Sequence, residues 1–181
     1  RVCLDGIDTK HVPLAVLRKA IATIPQTPTL FSGTIRSNLD HSARAADEEI
    51  WDALDKVGLS AKVQAFGGVD FELLDKGSNL SAGEQQLLCI ARTIIKKRKI
   101  VLIDEATANC DPASDQQIQQ ALKHSFKDCT MIVIAHRLQT IMDSDMVIVL
   151  DKGQVVECGH PDVLKQQGGV FASMFEAQKH A

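Results

Sequence analysis

The second half of the chain alternates between apolar runs of strand length and amphipathic stretches of helical period. The apolar runs read KIVLID, CTMIVIA and MVIVL, and helical patterns at residues 112–126 and 138–142 lie between them. This order predicts right-handed crossovers and an α/β fold with a mostly parallel sheet. Because the apolar runs are continuous, we expect both faces of the sheet to be covered. The turn sequence DKGQ predicts an antiparallel hairpin at the edge of this sheet.

A different pattern, mainly helical, occupies the middle of the chain. Within residues 45–77, the stretch DEEIWDALDKVGL places its apolar side chains on one helical stripe that ends at Gly58. Polar and glycine-rich segments without clear strands follow it. The best-defined helical pattern spans residues 81–96, where Ser81 and Glu84 have the spacing of a capping box. The middle is therefore predicted to be a helical insertion.

Composition and charge limit the class of protein. The 181 residues are 45% hydrophobic, which is enough for one well-packed domain. A net charge of −3 and an aromatic content of 4% disfavour a nucleic-acid-binding surface. The apolar runs are too short to cross a bilayer. Five cysteines occur singly, which favours a reducing compartment. The chain starts without Met, directly before the strand-like VCLDG, so we expect it to be a segment of a longer protein.

Two adjacent carboxylates, Asp104 and Glu105, end the apolar run KIVLID. The carboxyl ends of parallel strands are where α/β sheets bind ligands, and hard oxygen ligands there suit Mg²⁺. In this interpretation Asp104 holds the metal and Glu105 orients or deprotonates an attacking water. The alternative is structural: acids often simply end a strand and cap the following turn.

Four further segments surround this acid pair in a fixed order. They read IPQTPTLFSGTIRSNLD, NLSAGEQQ, TANCD and IAHRL. With these motifs the chain resembles the nucleotide-binding domain of ATP-binding cassette (ABC) transporters, and is most similar to the second cassette of the multidrug-resistance-associated C subfamily. The resemblance implies a P-loop NTPase-like ABC ATPase core with a helical subdomain and its N-terminal part missing. Residues 1–181 would form one partial domain, with a core at 1–40 and 99–181 and a helical subdomain at about 41–98.

The resemblance assigns roles within the chain's own ATP site. Gln26 matches the Q-loop glutamine, which contacts Mg²⁺ or the attacking water, although a Gln after a Pro is also an ordinary turn residue. Asp104 matches the Walker B acid, which binds the metal, and Glu105 the catalytic carboxylate. His136 matches the switch histidine that contacts the γ-phosphate, whereas a lone His at a strand end is often structural. The implied cofactors are ATP and Mg²⁺.

The remaining matches concern the ATP site of a partner cassette. Ser81 and Gly83 match the signature motif, which approaches ATP bound by the opposing cassette, and the N–H groups at a helix N-terminus favour phosphate. A capping box without a ligand is the alternative. Asp111 matches the D-loop acid. Because Asp111 directly precedes Pro112, it also has the sequence of an ordinary helix N-cap, and both roles can hold together.

The chain departs from the family pattern at two places. Glu84 stands where the signature motif usually has Gln, which brings a negative charge within one helical turn of a phosphate site. The phosphate-binding sequence G-x-x-x-x-G-K-[ST], called Walker A, does not occur in the 181 residues, and neither does the aromatic residue that precedes it. We explain this by truncation, and expect the isolated chain to be inactive as an ATPase.

These matches predict the ATP-binding and ATP-hydrolysing domain of an ABC exporter at the cytosolic face of a membrane. Its partners would be a second nucleotide-binding domain and the transmembrane domains, with no nucleic acid. One alternative is a non-catalytic regulatory cassette, or a truncated remnant, that only completes a partner's ATP site. Another is a soluble ABC ATPase that acts on DNA or ribosomes. Chromosome-organising members carry long coiled coils between the Q-loop and the signature, and no sustained heptads occur here.

Overall fold

The computed structural model describes residues 1–108, 110–135 and 138–179. The chain divides into two compact units, Arg1–Ile134 and Ala135–Ala181. The first unit contains a parallel sheet and most of the helices, and the second contains a hairpin with further helices. No helix within the described ranges is both long and apolar enough to cross a membrane.

The first unit opens with two short strands and a helix, and its central part is helical. In chain order its elements are β1 (Cys3–Leu4), β2 (Ile7–Asp8), α1 (Leu14–Ala20), β3 (Ile21–Ile24), β4 (Gly33–Thr34), α2 (Ile35–Leu39), α3 (Asp47–Lys56), α4 (Ser60–Ala65), β5 (Glu72–Leu73), α5 (Ala82–Ile95), β6 (Ile100–Asp104), α6 (Pro112–Ser125) and β7 (Thr130–Ile134).

The sheet of the first unit consists of three parallel strands in the order β3-β6-β7. Branched aliphatic residues dominate β3 and β6, which suits extended backbone that is covered by side-chain packing. Two minor sheets pair β1 with β2 and β4 with β5, both antiparallel. Since all three strands of the main sheet run in one direction, the residues that follow them meet at one edge of the sheet.

The core of the first unit lies between this sheet and helices α3, α5 and α6. Its members include fully buried aliphatic side chains from each of these elements: Ile24, Ile50, Leu54, Leu87, Ile90, Val101 and Ile118. Helix α5 is central, since eight of its fourteen residues are buried. Residues from the predicted helical insertion and from the sheet therefore share one hydrophobic core, with α5 between them.

The second unit is built around an antiparallel hairpin. Its elements are α7 (Leu138–Ile141), β8 (Val147–Asp151), β9 (Gln154–Gly159), α8 (Pro161–Gln167) and α9 (Val170–Lys179). In the turn between the strands, Lys152 and Gly153 both have positive φ, as a two-residue hairpin turn with the correct twist requires. A small apolar cluster packs beneath it and contains Val147, Val149, Leu164 and Phe171.

Most of the predicted elements are confirmed. The three apolar runs form β6, β7 and β8, and the helical patterns between them form α6 and α7. The helix predicted at residues 81–96 is α5, and its capping box is present, with Ser81 and Glu84 bonded reciprocally. The stripe that ends at Gly58 belongs to α3. Within residues 45–77 the structure adds one short strand, β5, which the pattern did not reveal.

The prediction that both faces of every strand are covered is wrong for β7, and also for β8, in which Ile148 and Leu150 are exposed. All five residues of β7 are exposed, and Ile132 and Ile134 each retain more than half of their accessible surface. Among the described strands β7 pairs only with β6, so it is an edge strand. Strand β6, which has a neighbour on each side, buries Val101 and Ile103 almost completely. Apolar composition therefore does not determine exposure, which depends on what packs against each face of the sheet.

The predicted hairpin is confirmed. Strands β8 and β9 form the expected antiparallel pair across the turn sequence DKGQ. They form a two-stranded sheet within the second unit. A hairpin forms through local contacts that its turn specifies, whereas pairing with a distant strand depends on tertiary structure that the turn does not encode.

Candidate functional site

Gln26 and Glu105 lie together at the carboxyl edge of the parallel sheet. Strands β3 and β6 pair in register so that Ile24 is opposite Ile103, and Gln26 and Glu105 each lie two residues beyond that pair. The side chains meet: Gln26 Nε2 donates a hydrogen bond to Glu105 Oε2 at 2.9 Å. The structure therefore joins a glutamine and a carboxylate that are 79 residues apart in the chain.

Glu105 has an unusual backbone conformation. Its φ of +44° lies in the left-handed region, which residues other than glycine seldom adopt. Two backbone hydrogen bonds hold it there, from Glu105 N to the carbonyl of Ile134 at 2.9 Å and from Ala108 N to the carbonyl of Glu105 at 3.0 Å. Strained conformations of this kind persist only where the surroundings over-determine them, and they concentrate at functional sites.

Asp104 is the last residue of β6 and its side chain is exposed at the same edge of the sheet. Within the part of the chain that the structure describes, no group of three or more His, Cys, Asp or Glu residues is placed to hold a metal. Mg²⁺ in nucleotide sites commonly uses one or two carboxylates, with waters and phosphate oxygens as its other ligands. One exposed carboxylate beside a Gln–Glu pair fits that donor set.

The predicted switch histidine, His136, lies outside the described residues. The last residue of β7, Ile134, is paired with Asp104.

Ser81 forms the N-cap of α5. Its Oγ accepts a hydrogen bond from Glu84 N at 3.3 Å, and its own N–H donates to Glu84 Oε2 at 2.9 Å. The first N–H groups of a helix, here those of Ala82 and Gly83, have no partner within the helix. The capping box and the predicted signature residues therefore occupy the same helix end.

Glu84 forms an ion pair that the sequence did not indicate. Its carboxylate contacts the ammonium of Lys62 in α4, 22 residues away. Partial burial raises the pKa of Glu84, but hydrogen bonds from Lys62 and from the N–H of Ser81 outweigh burial, so the pKa is lowered. Glu84 is thus ionised at neutral pH, with a compensating charge beside it.

Asp111 has the capping geometry that its position before Pro112 predicted. It is the N-cap of α6, and its carboxylate accepts hydrogen bonds from the N–H groups of Ala113 and Ser114. The Ser114 hydroxyl donates a third bond at 2.6 Å. These bonds, that of the hydroxyl first, lower the pKa of Asp111. The structural role of Asp111 is therefore confirmed, and its role toward nucleotide stays a prediction.

Gly83 and Ser114 are packed against each other, so that the N-terminal turns of α5 and α6 are in contact. A Cβ atom on Gly83 would lie 2.5 Å from Ser114 Cβ and would also overlap Ser114 Oγ. Only glycine fits at position 83 without a shift of one helix. The predicted signature residue Gly83 and the predicted D-loop residue Asp111 are thus connected through Ser114, which sequence reasoning missed because nothing in the pattern linked it to Gly83.

Comparison with known proteins identifies the family of the chain. Residues 1–108 match the family model described as "ABC transporter". The chain belongs to the ABC transporter family. Its curated relatives include ATP-binding cassette sub-family C member 10 of Mus musculus, 49% identical over 167 residues, and sub-family C member 2 of Homo sapiens, 46% identical over 175 residues. These alignments cover 92% and 96% of this chain but only 11% of each relative.

A solved structure supports the fold of this ABC transporter chain. The bacterial Atm1-family ABC exporter with ATP bound superposes with a TM-score of 0.90 at 36% sequence identity, covering 98% of this chain and 32% of that one. The ABC ATPase fold predicted from the motifs is therefore confirmed, and so is the resemblance to subfamily C.

The structure brings only some of the predicted site residues of this ABC transporter chain together. Gln26 and Glu105 are in contact, whereas Ser81, Gly83 and Asp111 lie at the adjoining starts of α5 and α6. The two sets of roles that the resemblance assigned, one to the chain's own ATP site and one to a partner's, stay predictions. Lys62 was missed because a lysine on an exposed helix gives no sequence signal of its distant partner.

The contact between Gly83 and Ser114 leads to a stability prediction. Gly83→Ala should lower the free energy of unfolding by about 1–3 kcal/mol, because the added methyl group overpacks the junction of α5 and α6. Urea unfolding of the purified chain measures this loss. The exposed neighbouring substitution Ala82→Ser is the control and should have little effect.

A double-mutant cycle tests the physical reason for that loss. In a Ser114→Gly background the clash is removed, so Gly83→Ala should cost less, with an interaction energy of about 0.5–3 kcal/mol. The same cost in both backgrounds would show that Ser114 is not the obstacle.

Proposed function

We propose that this chain is the ATP-binding and ATP-hydrolysing domain of an ABC-type exporter and couples ATP hydrolysis to substrate transport. The observation that carries the proposal is the hydrogen bond between Gln26 and Glu105 at the carboxyl edge of the sheet, in a chain of the ABC transporter family. A glutamine and a carboxylate at this edge are suited to orient a water molecule against a phosphoryl group. Because the chain spans 11% of the length of the relatives named above, the activity of a whole protein is part of this proposal.

Glu105 is the proposed general base. The amide of Gln26 donates to its carboxylate, and this hydrogen bond orients the carboxylate. The left-handed backbone at Glu105 directs the side chain away from the path of an ordinary strand. In this orientation the carboxylate accepts a proton from the attacking water as the water approaches the γ-phosphate.

Asp104 and Gln26 are the proposed ligands for Mg²⁺. A bound Mg²⁺ neutralises the negative charge that develops on the phosphoryl oxygens. Asp104 supplies an exposed carboxylate from the end of β6, and the side-chain oxygen of Gln26 is available while its nitrogen donates to Glu105. His136 is the proposed contact to the γ-phosphate.

Ser81, Gly83 and Asp111 are proposed to serve the ATP site of a second nucleotide-binding domain. The N-terminus of α5 offers free N–H groups and the positive end of the helix dipole, both of which favour phosphate. The tight contact between Gly83 and Ser114 holds this helix end beside the Asp111 cap. The two domains and the transmembrane domains of the same transporter would then work together at the cytosolic face of a membrane.

Hydrolysis by the complete polypeptide that carries this domain tests the proposal. Purified in lipid vesicles, it should release phosphate from ATP in the presence of Mg²⁺ and not when the metal is chelated. If the cassette completes a partner's site, a Ser81→Cys variant labelled with a thiol-reactive photocrosslinker should crosslink to the other domain more readily with ATP than without, and more than the labelled parent protein does. Absence of both activities would contradict the proposed function.

The ion pair between Lys62 and Glu84 leads to a prediction about rate. If the carboxylate of Glu84 opposes a nearby phosphate, Glu84→Gln should raise hydrolysis at the composite site, as the unusual signature residue suggested. Lys62→Met should lower it, because the carboxylate loses its compensating charge. Each change should be about twofold to fivefold, the scale of a partly exposed ion pair.

Two further variants separate this effect from a general loss of charge pairs. The double variant Lys62→Met/Glu84→Gln should hydrolyse ATP at close to the wild-type rate. Lys56→Met removes the exposed pair with Asp52 on α3 and should leave the rate unchanged. Equal rates in wild type, Glu84→Gln and Lys62→Met would show that the charge at position 84 does not act on the phosphate.

A further inference from the structure

Gln86 is a buried polar side chain that forms a hydrogen bond to a residue outside its own helix. It lies in α5, five residues after the Ser81 cap, and is only 1% exposed. Its Nε2 donates a hydrogen bond to the backbone carbonyl of Pro25 at 3.1 Å. Its Oε1 is buried and meets no donor among the described residues. A buried amide is costly to keep half-satisfied, so the bond to Pro25 is the feature that explains a glutamine here.

The carbonyl of Pro25 belongs to the same planar peptide group as the nitrogen of Gln26. Fixing that oxygen therefore fixes the orientation in which the chain enters Gln26. Pro25 adds stiffness, because its ring locks φ on the other side of the carbonyl. The side chain of Gln26 then reaches Glu105 Oε2 at 2.9 Å. The hydrogen bond from α5 thus fixes the residue that directly precedes Gln26, a member of the proposed catalytic pair.

A second contact holds the following part of the same segment to α5. Arg92 donates from Nη1 to the carbonyl of Thr29 at 2.9 Å and from Nε to the carbonyl of Asn38 at 2.6 Å. Gln86 and Arg92 are six residues apart, roughly 9 Å along the helix axis. Because the segment is attached to α5 at two separated points, it is expected to move with α5 as one body.

We propose that Gln86 is a positioning residue that ties Gln26, and through it Glu105, to the helix that begins at the Ser81 cap. The proposal rests on the proposed function, since it assigns Gln86 a part in ATP hydrolysis. When a phosphate binds at the N-terminus of α5 and displaces the helix, the Gln86–Pro25 bond changes the orientation of the Gln26 amide. The ATP site that Ser81 faces and the site that contains Glu105 are thereby coupled within one chain.

The test removes the donor while keeping the size of the side chain. Gln86→Met and Gln86→Leu each eliminate the N–H that reaches Pro25, and both are introduced into the complete polypeptide. The matched control is Thr93→Val: Thr93 is also a buried polar residue of α5, and its hydroxyl bonds only to the carbonyl of Cys89 in the same helix. Both Gln86 variants should lower kcat about tenfold and change the KM for ATP less than about twofold. Thr93→Val should leave both constants near the wild-type values.

A structural readout separates positioning from a general loss of stability. Hydrogen exchange of the backbone around Gln26 should become faster in Gln86→Met and stay at the wild-type rate in Thr93→Val, when the melting temperatures of the two variants are similar. Unchanged kcat and unchanged exchange in Gln86→Met would overturn the proposal. Glu105→Gln is measured alongside. If the wild type shows no hydrolysis that depends on Glu105, the proposed function fails, and the exchange rate at Gln26 alone then decides whether Gln86 positions it.

Discussion

Replacement of Glu105 by glutamine is expected to lower the rate of ATP hydrolysis by about 10²–10⁴-fold, the range for loss of a general base. The amide keeps the shape of the side chain but cannot accept a proton from water. Its NH₂ group also faces the donor Nε2 of Gln26 unless one amide turns, so the contact with Gln26 weakens. ATP binding should change little, because the carboxylate acts on the water rather than on the nucleotide.

The measurement compares phosphate release and ATP affinity in the complete polypeptide. Glu48→Gln is the control, since Glu48 is an exposed acid in the first turn of α3 and the chemical change is identical. It should hydrolyse ATP at the wild-type rate. A Glu105→Gln protein with more than about a tenth of the wild-type rate would remove Glu105 from the role of general base and would favour a purely structural function for the strained turn.

The 181-residue segment by itself is expected to bind MgATP with a dissociation constant above about 1 mM and not to hydrolyse it. Micromolar to millimolar affinity corresponds to about 4–8 kcal/mol, and each hydrogen bond to a charged group contributes about 1.5–3 kcal/mol. The sequence contains no G-x-x-x-x-G-K-[ST] loop to supply several such bonds from backbone N–H groups. Without three or more of them, most of the binding free energy is absent.

Calorimetric titration of the purified segment with MgATP measures this affinity, with circular dichroism to show that the segment is folded. A polypeptide in which a G-x-x-x-x-G-K-[ST] loop accompanies the segment is the control and should bind ATP with micromolar to millimolar affinity. Robust turnover by the segment, lost on Glu105→Gln, would show that its own residues bind the phosphates sufficiently.

Several features could be predicted from the sequence because they depend on neighbouring residues. The cap of α5 at Ser81 and that of α6 at Asp111 follow from side chains that bond N–H groups two or three residues further on. The turn of the β8–β9 hairpin follows from the φ values that glycine permits. Short-range signals of this kind are complete within a few residues.

Motif order also identified the family, and parallel pairing predicted that Asp104 and Glu105 would lie at a ligand-binding edge. The sequence by itself did not give Gln26 as the hydrogen-bond partner of Glu105, because that contact depends on the register of β3 against β6. A shift of one residue in that register would direct the side chains of one strand to the opposite face.

By itself, then, the sequence determined the elements of the second half, the capped helix α5 and the order of the motifs, each of which is specified within a few residues of the chain. Tertiary structure alone decided that the side chains of β7 are exposed and that Lys62 neutralises Glu84. It also decided that Ser114 leaves no room for a side chain at position 83. The physical reason is common to these cases: strand pairing, burial and charge compensation are contacts between residues far apart in sequence, and they exist only after the core has set the distances between them.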